Sequence, residues 1–129
     1  RYPGREIVLS HAEISEADLQ YVIERIGEFV LEMTRAQIKA AGGRLDGLVI
    51  WGDVAYRKDL LFSPEFWRRH FKPGVKAIVE ACHGAGLPVI YHGCGNVSRI
   101  FEDFIELVID AYNPLEFKAG LDVVELRRK

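Results

Sequence analysis

Pro88-Val89-Ile90-Tyr91-His92-Gly93-Cys94-Gly95-Asn96 is the stretch around which the rest of the chain is organised. It begins as a short apolar run, which predicts a strand over 88–92, and it ends among glycines. Side chains two residues apart in an extended segment point to the same face. His92 and Cys94 can therefore converge on one point at the end of the strand, as two ligands of one metal ion would.

Two further segments predict strands beside this one. Residues 47–52, Gly-Leu-Val-Ile-Trp-Gly, form an apolar run bounded by glycines, which is typical of a strand buried on both faces. Residues 111–115 indicate another short strand, and residues 6–10 are a candidate for a fourth. Helical patterns separate these segments, and no tight hairpin signal occurs between them. The alternation predicts an α/β fold with parallel strands and right-handed crossovers.

Start and stop signals delimit the first two predicted helices. Ser15 followed by Asp18 resembles a capping box, which opens a helix with one apolar stripe. Gly42-Gly43 is a C-terminal stop for that helix. Ser63 and Pro64 supply an N-cap and a first-turn proline, so a second helix begins there.

Later helices follow from the same kind of signal. Pro73-Gly74 divides the second helix into pieces over about 64–71 and 74–84. An amphipathic helix is predicted over 96–111, and Asp122 caps a last one. The side chains expected inward on the 96–111 helix are Ile100, Phe101, Phe104, Ile105 and Val108.

The composition describes one ordinary globular domain. The 129 residues are 49% hydrophobic and 28% charged, and the net charge of −2 argues against a nucleic-acid or anionic-membrane partner. Apolar runs are far shorter than the ~20 residues of a membrane span, so we expect no membrane insertion. Cys82 lies on a helix's apolar stripe, and two cysteines make no disulfide framework, so a reducing cytoplasm is the default. The chain begins at Arg1 without a methionine and ends in a charged stretch, which suggests a piece of a longer protein.

Polar residues collect where the predicted strands end. Asp53 follows the 47–52 run, His92 and Cys94 end the next strand, and Asn113 and Glu116 end the third. In parallel α/β folds this edge is where ligands bind, so the placement predicts a site here. Asp53 is the best candidate for a catalytic acid, against the alternative that it caps the loop after its strand.

The other candidates also have alternative interpretations. His92 and Cys94 can instead be a hydrogen-bonded histidine and a buried thiol that line a pocket, because His-x-Cys alone is a weak motif. Tyr56 and Arg57 are candidates for substrate contacts, and a loop ordered by surface pairs explains them equally well. Glu116 is a further candidate for substrate binding.

Four motifs occur in an order and spacing that resemble a known family. They are Gly-Gly-Arg-Leu-Asp-Gly-Leu-Val-Ile-Trp-Gly-Asp-Val-Ala-Tyr (42–56), Leu-Phe-Ser-Pro-Glu-Phe-Trp (61–67), Tyr-His-Gly-Cys-Gly-Asn (91–96) and Asn-Pro-Leu-Glu (113–116). Together they resemble the C-terminal half of the uroporphyrinogen decarboxylase superfamily. That superfamily also holds the zinc-dependent methyltransferases, which move methyl groups between corrinoid proteins and thiols. The resemblance covers residues 42–129 well and residues 1–41 only weakly.

The resemblance implies a (β/α)₈ TIM barrel, which usually takes about 250 residues. This chain has room for about four β/α units, so we expect a single domain that resembles about half of such a barrel. A half-barrel is either part of a longer enzyme or pairs with another copy to close its sheet, since open strand edges and apolar faces favour aggregation. We therefore expect a homo-oligomer, and no measurable catalysis, from the 129 residues alone.

Within the superfamily, His92-Gly93-Cys94 resembles the methyltransferase branch, in which a His-x-Cys pair and a later cysteine bind zinc. A metal-bound thiol is deprotonated into a nucleophile at neutral pH. The resemblance thus implies transfer of a methyl group from a corrinoid, carried by a partner protein, to a thiol. No cysteine follows Cys94 within the 129 residues, so the third ligand lies beyond Lys129 if the chain is a fragment. Asp53 or Glu116 is the alternative, as a substitute oxygen ligand.

The decarboxylase branch is the alternative activity. It uses no metal. Arginines hold the acetate and propionate groups of the tetrapyrrole, and an acid protonates the pyrrole; these residues belong to the family's N-terminal half and cannot be placed in this chain. His92 and Cys94 then only line the pocket. A non-catalytic, self-associating half-barrel is the third interpretation. The segment Leu107-Val108-Ile109-Asp110 also departs from the family, which tends to have a glycine before this strand.

Overall fold

A three-stranded parallel sheet lies at the centre of the computed structural model, which describes residues 15–128. The strands are β1 (Leu48–Trp51), β2 (Val89–His92) and β3 (Ala111–Asn113), adjacent in chain order. Their register places Trp51, His92 and Asn113 in one row at the carboxyl ends of the strands. The predicted α/β fold, built from parallel β/α units, is confirmed.

Helices connect and flank the strands. The α-helices are α1 (Glu16–Ala41), α2 (Pro64–His70), α3 (Lys72–Gly84), α4 (Phe101–Glu106) and α5 (Val123–Leu126), with 3₁₀ turns at Ser98–Ile100 and Phe117–Ala119. The predicted strand over 6–10 lies outside the described residues. Between residues 15 and 128, no helix combines the length and the apolar character that crossing a membrane requires.

The predicted capping signals act at the ends of α1 and at the start of α5. The Asp18 amide donates to the Ser15 hydroxyl oxygen at 3.1 Å, and the Ser15 amide donates to the Asp18 carboxylate at 3.3 Å, which completes a capping box. Gly42 ends α1 in the left-handed conformation, with φ at 57°. The Asp122 carboxylate accepts from the Val124 amide at 2.7 Å, as an N-cap does. These boundaries follow directly from local chemistry.

The interruption predicted at Pro73 lies between α2 and α3. The Ser63 hydroxyl oxygen caps α2 by accepting from the Phe66 amide. The helix breaks at Phe71, and Pro73 then sits in the first turn of α3, where a missing N–H costs nothing. The second piece therefore begins at Lys72, two residues before the predicted start at residue 74.

The described helices cover one face of the sheet. Val89 and Tyr91 of β2 point into that layer and are buried. Tyr91 packs with Phe104 at a ring-centroid distance of 4.6 Å, in a cluster that also holds Trp67. Val89 packs in a second cluster with Cys82, whose burial raises the pKa of its thiol and confirms it as a core residue. The two clusters hold β2 in place and so position the residues at its carboxyl end.

The opposite face of the sheet is left uncovered by the described residues. Val49 and Trp51 of β1 are 54% and 76% exposed, and Ile90 of β2 is 38% exposed. The prediction that β1 is buried on both faces is therefore wrong. Only the face that carries Leu48 and Ile50 packs against the described helices, because no helix among these residues crosses to the other side.

The helix predicted over 96–111 is much shorter in the structure. A 3₁₀ turn precedes α4, which itself spans only 6 residues. Ile105 and Val108, both expected inward, are 51% and 63% exposed, so that part of the prediction is wrong. Val108 adopts a left-handed φ of 58°, its amide donates to the Ile105 carbonyl, and the Ile109 amide donates to the Phe104 carbonyl. This is a Schellman motif, which ends the helix early and turns the chain into β3.

Candidate functional site

Asp53, His92 and Cys94 meet at the carboxyl ends of β1 and β2. One ligand atom from each, a carboxylate oxygen, an imidazole nitrogen and the thiol sulfur, lies within 4.8 Å of the other two. The Cys94 sulfur is 4.0 Å from His92 Nε2. The i, i+2 spacing at the end of an extended segment accounts for the His92–Cys94 proximity. Asp53 arrives from the neighbouring strand because parallel strands end at the same edge.

The register of the sheet orients the His92 ring. Nδ1 of His92 lies 2.6 Å from Oδ1 of Asn113, and because an amide oxygen only accepts, Nδ1 is the nitrogen that carries the hydrogen. The lone pair is therefore on Nε2, the nitrogen nearer Cys94. The Trp51 ring packs on the other side, with its centroid 4.5 Å from that of His92. Such an outer hydrogen bond is how proteins orient metal-binding histidines.

Asp53 and Cys94 are joined through the backbone. The Cys94 amide donates a hydrogen bond of 2.8 Å to Oδ1 of Asp53. Desolvation raises the pKa of the Cys94 thiol above its ordinary value of 9.0, and the negative charges of Asp53 and Glu116 raise it further. The thiol is therefore protonated at neutral pH unless a cation sits beside it.

Two tyrosines hold the peptides that carry these side chains. The Tyr91 hydroxyl donates to the carbonyl of Gly52, the residue before Asp53, at 3.0 Å. The Tyr112 hydroxyl donates to the carbonyl of Gly93, between His92 and Cys94. Burial, with the charge of Asp53 as a second cause, raises the pKa of Tyr91 to about 12, and burial likewise raises that of Tyr112. Both phenols therefore remain neutral donors at neutral pH.

Glycines allow three chain segments to meet beside the site. Gly95 has a left-handed φ of 92°, and a Cβ there would lie 2.6 Å from the Tyr56 carbonyl oxygen. The Asn96 amide donates to that same carbonyl at 2.8 Å. The Gly95 amide donates to a Glu116 carboxylate oxygen at 2.6 Å. Glu116, a predicted substrate contact, thus anchors the loop after β2, and its carboxylate is not in the group of converging donor atoms.

An open cleft of ≈ 430 Å³ begins at Cys94. The residues that line it are Ala55, Tyr56, Arg57, Cys94, Gly95, Glu116, Lys118 and Ala119. Tyr56 and Arg57, both predicted as substrate contacts, therefore lie beside Cys94. Within residues 15–128, neither Arg57 nor Lys118 has a carboxylate at salt-bridge distance, so two cations face the cleft.

Sequence patterns alone did not assign the supporting residues. Asn113 stood out only as a polar residue at a strand end, and its contact with His92 depends on the register between β2 and β3. Tyr91 and Tyr112 lie in segments predicted as strands and had no role assigned to them, nor had Lys118. The three converging donors match the nitrogen, thiolate and oxygen ligands that zinc takes in proteins, and three protein ligands leave a coordination position for a substrate.

Comparisons with known proteins agree on one family. The family model described as Uroporphyrinogen decarboxylase (URO-D) matches residues 10–118. The match includes α1, over which the motif resemblance was weak. Uroporphyrinogen decarboxylase from Thermus thermophilus is 28% identical over 111 residues, which are 82% of this chain and 30% of that protein. The chain thus spans about 30% of the length of this relative. No solved structure matches the chain.

Proposed function

The chain belongs to the uroporphyrinogen decarboxylase family, and on that premise we propose that its site binds zinc and serves methyl transfer to a thiol. The convergence of His92, Cys94 and Asp53 within 4.8 Å is the observation that supports this proposal. Nitrogen, sulfur and oxygen donors are the ligand types that zinc takes in proteins. The methyl donor is a corrinoid held by a partner protein.

Zinc bound here would lower the pKa of a coordinated substrate thiol, so that the thiolate is the nucleophile at neutral pH. The chain's own residues orient this site. Asn113 fixes the tautomer of His92, and Asp53 holds the amide of Cys94. Because Cys94 is not buried, a ligand can approach its sulfur from the cleft.

Arg57 and Lys118 support a substrate that carries negative charge. Both line the cleft beside Cys94, so an anionic group that lies along the cleft meets two cations while its thiol reaches the donors. Tyr56 offers a further contact on the same wall. Cysteines that form no disulfide, as Cys82 and Cys94 do not, suit a reducing cytoplasm, which is the location we propose.

Zinc analysis of the purified protein tests the proposal. We expect about one equivalent of zinc, lost in Cys94→Ser because the thiolate ligand is removed. Cys82→Ala removes the other, buried cysteine and is the matched control, with zinc content unchanged. A metal-free protein would overturn the proposal.

Metal-free decarboxylation of a tetrapyrrole is the second candidate, and the name of the Thermus thermophilus relative favours it. Arg57 and Lys118 would then hold substrate carboxylates, and His92 and Cys94 would only line the cleft. This candidate predicts a metal-free protein that binds uroporphyrinogen with an affinity unaffected by Cys94→Ser. Loss of that binding on removal of zinc would exclude it.

A non-catalytic half-barrel that associates with itself is a third proposal. The exposed apolar side chains Val49 and Ile90 and the open outer edges of β1 and β3, among the described residues, support it. Burial of this face against a second copy would remove apolar surface from water and satisfy unpaired strand edges.

A further inference from the structure

We propose that Asp53 is the third protein ligand of the metal, so that this chain supplies a complete nitrogen, sulfur and oxygen donor set. The inference rests on the proposed zinc site and goes beyond it, since it assigns the third ligand from the position of the Asp53 carboxylate beside His92 and Cys94. Its consequence is that the 129 residues bind a divalent cation without any other polypeptide.

The donor atoms are already close to the spacing that zinc requires. Zinc bonds of about 2.0–2.3 Å place tetrahedral ligands about 3.3–3.8 Å apart. The Cys94 sulfur and His92 Nε2 are 4.0 Å apart, and a carboxylate oxygen of Asp53 lies within 4.8 Å of both ligand atoms. Movements of about 1 Å therefore close the site. Asp53 and Cys94 are exposed, so their side chains can make such movements without repacking the core.

Asp53 fits this role better than Glu116 does. Oδ1 of Asp53 accepts the Cys94 amide at 2.8 Å, which holds the carboxylate beside the thiol and leaves further lone pairs for a cation. The Glu116 carboxylate is engaged with the Gly95 amide at 2.6 Å. In the part of the chain that the structure describes, Asp53, His92 and Cys94 form the one group of three such donors.

The charge of the donor set is also right for zinc. A thiolate and a carboxylate carry two negative charges, which neutralise Zn²⁺ as two thiolates do. The carboxylate is the harder ligand, so the site should also take Co²⁺, which absorbs visible light and reports its ligands. The thiolate then gives a charge-transfer band, while the cobalt d–d bands depend on the oxygen donor.

Competition of Zn²⁺ with a chromophoric chelator, together with Co²⁺ titration of the metal-free full chain, tests the inference. In Asp53→Asn the amide oxygen can still accept the Cys94 N–H but the charge is lost, so we expect zinc affinity to fall at least about tenfold. The thiolate–cobalt band should persist at saturating Co²⁺, with altered d–d bands. Cys94→Ser should lose the thiolate–cobalt band. Asp46→Asn is the matched control, because it removes an exposed carboxylate from the other end of β1. It should bind zinc and cobalt with wild-type affinity.

The outcomes separate the two proposals. Wild-type affinity in Asp53→Asn, with binding lost in Cys94→Ser, would overturn the role of Asp53 and leave the zinc proposal standing. A wild-type chain that binds neither metal would overturn both. Asp53→Ser, whose hydroxyl can also accept the Cys94 amide, is the second variant, and the unfolding midpoint of each metal-free variant establishes that it is folded. A folded Asp53→Ser variant with wild-type affinity would likewise overturn the inference.

Discussion

The Tyr112 hydroxyl donates a hydrogen bond to the carbonyl of Gly93, the residue that separates His92 from Cys94. The Tyr112 ring is stacked on Tyr91, whose own hydroxyl bonds to Gly52 beside Asp53. The hydroxyls of two packed tyrosines thus bind the backbone carbonyls next to the candidate ligands. The site is therefore supported by the packed layer beneath it.

Tyr112→Phe tests this support. The ring packing is retained and one hydrogen bond is lost, so we expect the free energy of unfolding to fall by about 1 kcal/mol. Zinc affinity should fall about tenfold, since outer contacts of this kind tune metal sites. Urea denaturation and chelator competition measure the two effects. Tyr21→Phe, on the exposed surface of α1, should change neither, and unchanged zinc affinity in Tyr112→Phe would contradict the argument.

Asn113→Ala should weaken zinc binding about 10–100-fold, because His92 loses the acceptor that fixes its tautomer. Asn113→Asp keeps an acceptor at the same position and should bind zinc nearly as the wild type does. The comparison of the two affinities by calorimetric titration is the measurement. Equal losses in both variants would show that the Nδ1 hydrogen bond is not what matters.

Val108→Gly should stabilise the fold. Val108 holds a left-handed φ of 58° at the end of α4, which costs about 1–2 kcal/mol for a residue with a Cβ. Glycine removes that cost, but its greater freedom in the unfolded chain lowers the free energy of unfolding by about 0.5–1 kcal/mol. The net increase in the free energy of unfolding should therefore be about 0.5–1 kcal/mol. Thermal and urea denaturation measure it. Ile105→Gly, at a similarly exposed position inside the helix, should instead lower the free energy of unfolding by about 1 kcal/mol. A destabilised Val108→Gly would refute the expectation.

Asp103 makes stability depend on acid pH. Its carboxylate is 3% exposed and accepts from Arg68 Nη2 at 2.9 Å and from Lys72 Nζ at 2.8 Å. Burial raises the pKa of Asp103, but the hydrogen bonds from Arg68 and Lys72 lower it by more. The pKa of Asp103 therefore lies below the ordinary value of 3.8. A lowered folded-state pKa adds stability above pH 3.8, and this contribution is lost as the pH falls through the lower, folded-state value.

Urea denaturation of Asp103→Ala across pH 2–7 measures that contribution. In Asp103→Ala we expect the free energy of unfolding to fall by about 2 kcal/mol at pH 7, because Lys72 and Arg68 are partly exposed and can regain water. This difference from the wild type should become smaller in acid. Glu106→Ala removes an exposed partner of Lys72 and should cost less than about 1 kcal/mol. A pH-independent difference between Asp103→Ala and the wild type would refute the electrostatic explanation.

The sheet face that residues 15–128 leave uncovered should drive self-association. Val49→Lys places a charge on this face, away from the candidate ligands, and should shift light scattering towards smaller species. Val123→Lys changes a similarly exposed apolar residue on α5 and should leave the association state unchanged. A monomeric wild type at high concentration would contradict the proposal.

Much of the architecture could be predicted from local patterns. The capping box at Ser15, the stop at Gly42 and the break near Pro73 are consequences of side chains acting within a few residues of themselves. The strand over β2 and the proximity of His92 to Cys94 follow from the period of an extended chain. Predictions failed at the 96–111 helix, where an exposed valine takes the left-handed position that usually calls for glycine.

The sequence by itself therefore determined the parallel β/α order, the family resemblance and one pair of converging donors, because each depends on local periodicity or short motifs. Only the tertiary structure decided which residues contact that pair. The contacts of Asp53 with Cys94 and of His92 with Asn113 join residues that are 41 and 21 positions apart. Strand register and the packing beneath the sheet set these distances. Neither the register nor the packing follows from the spacing of residues along the chain.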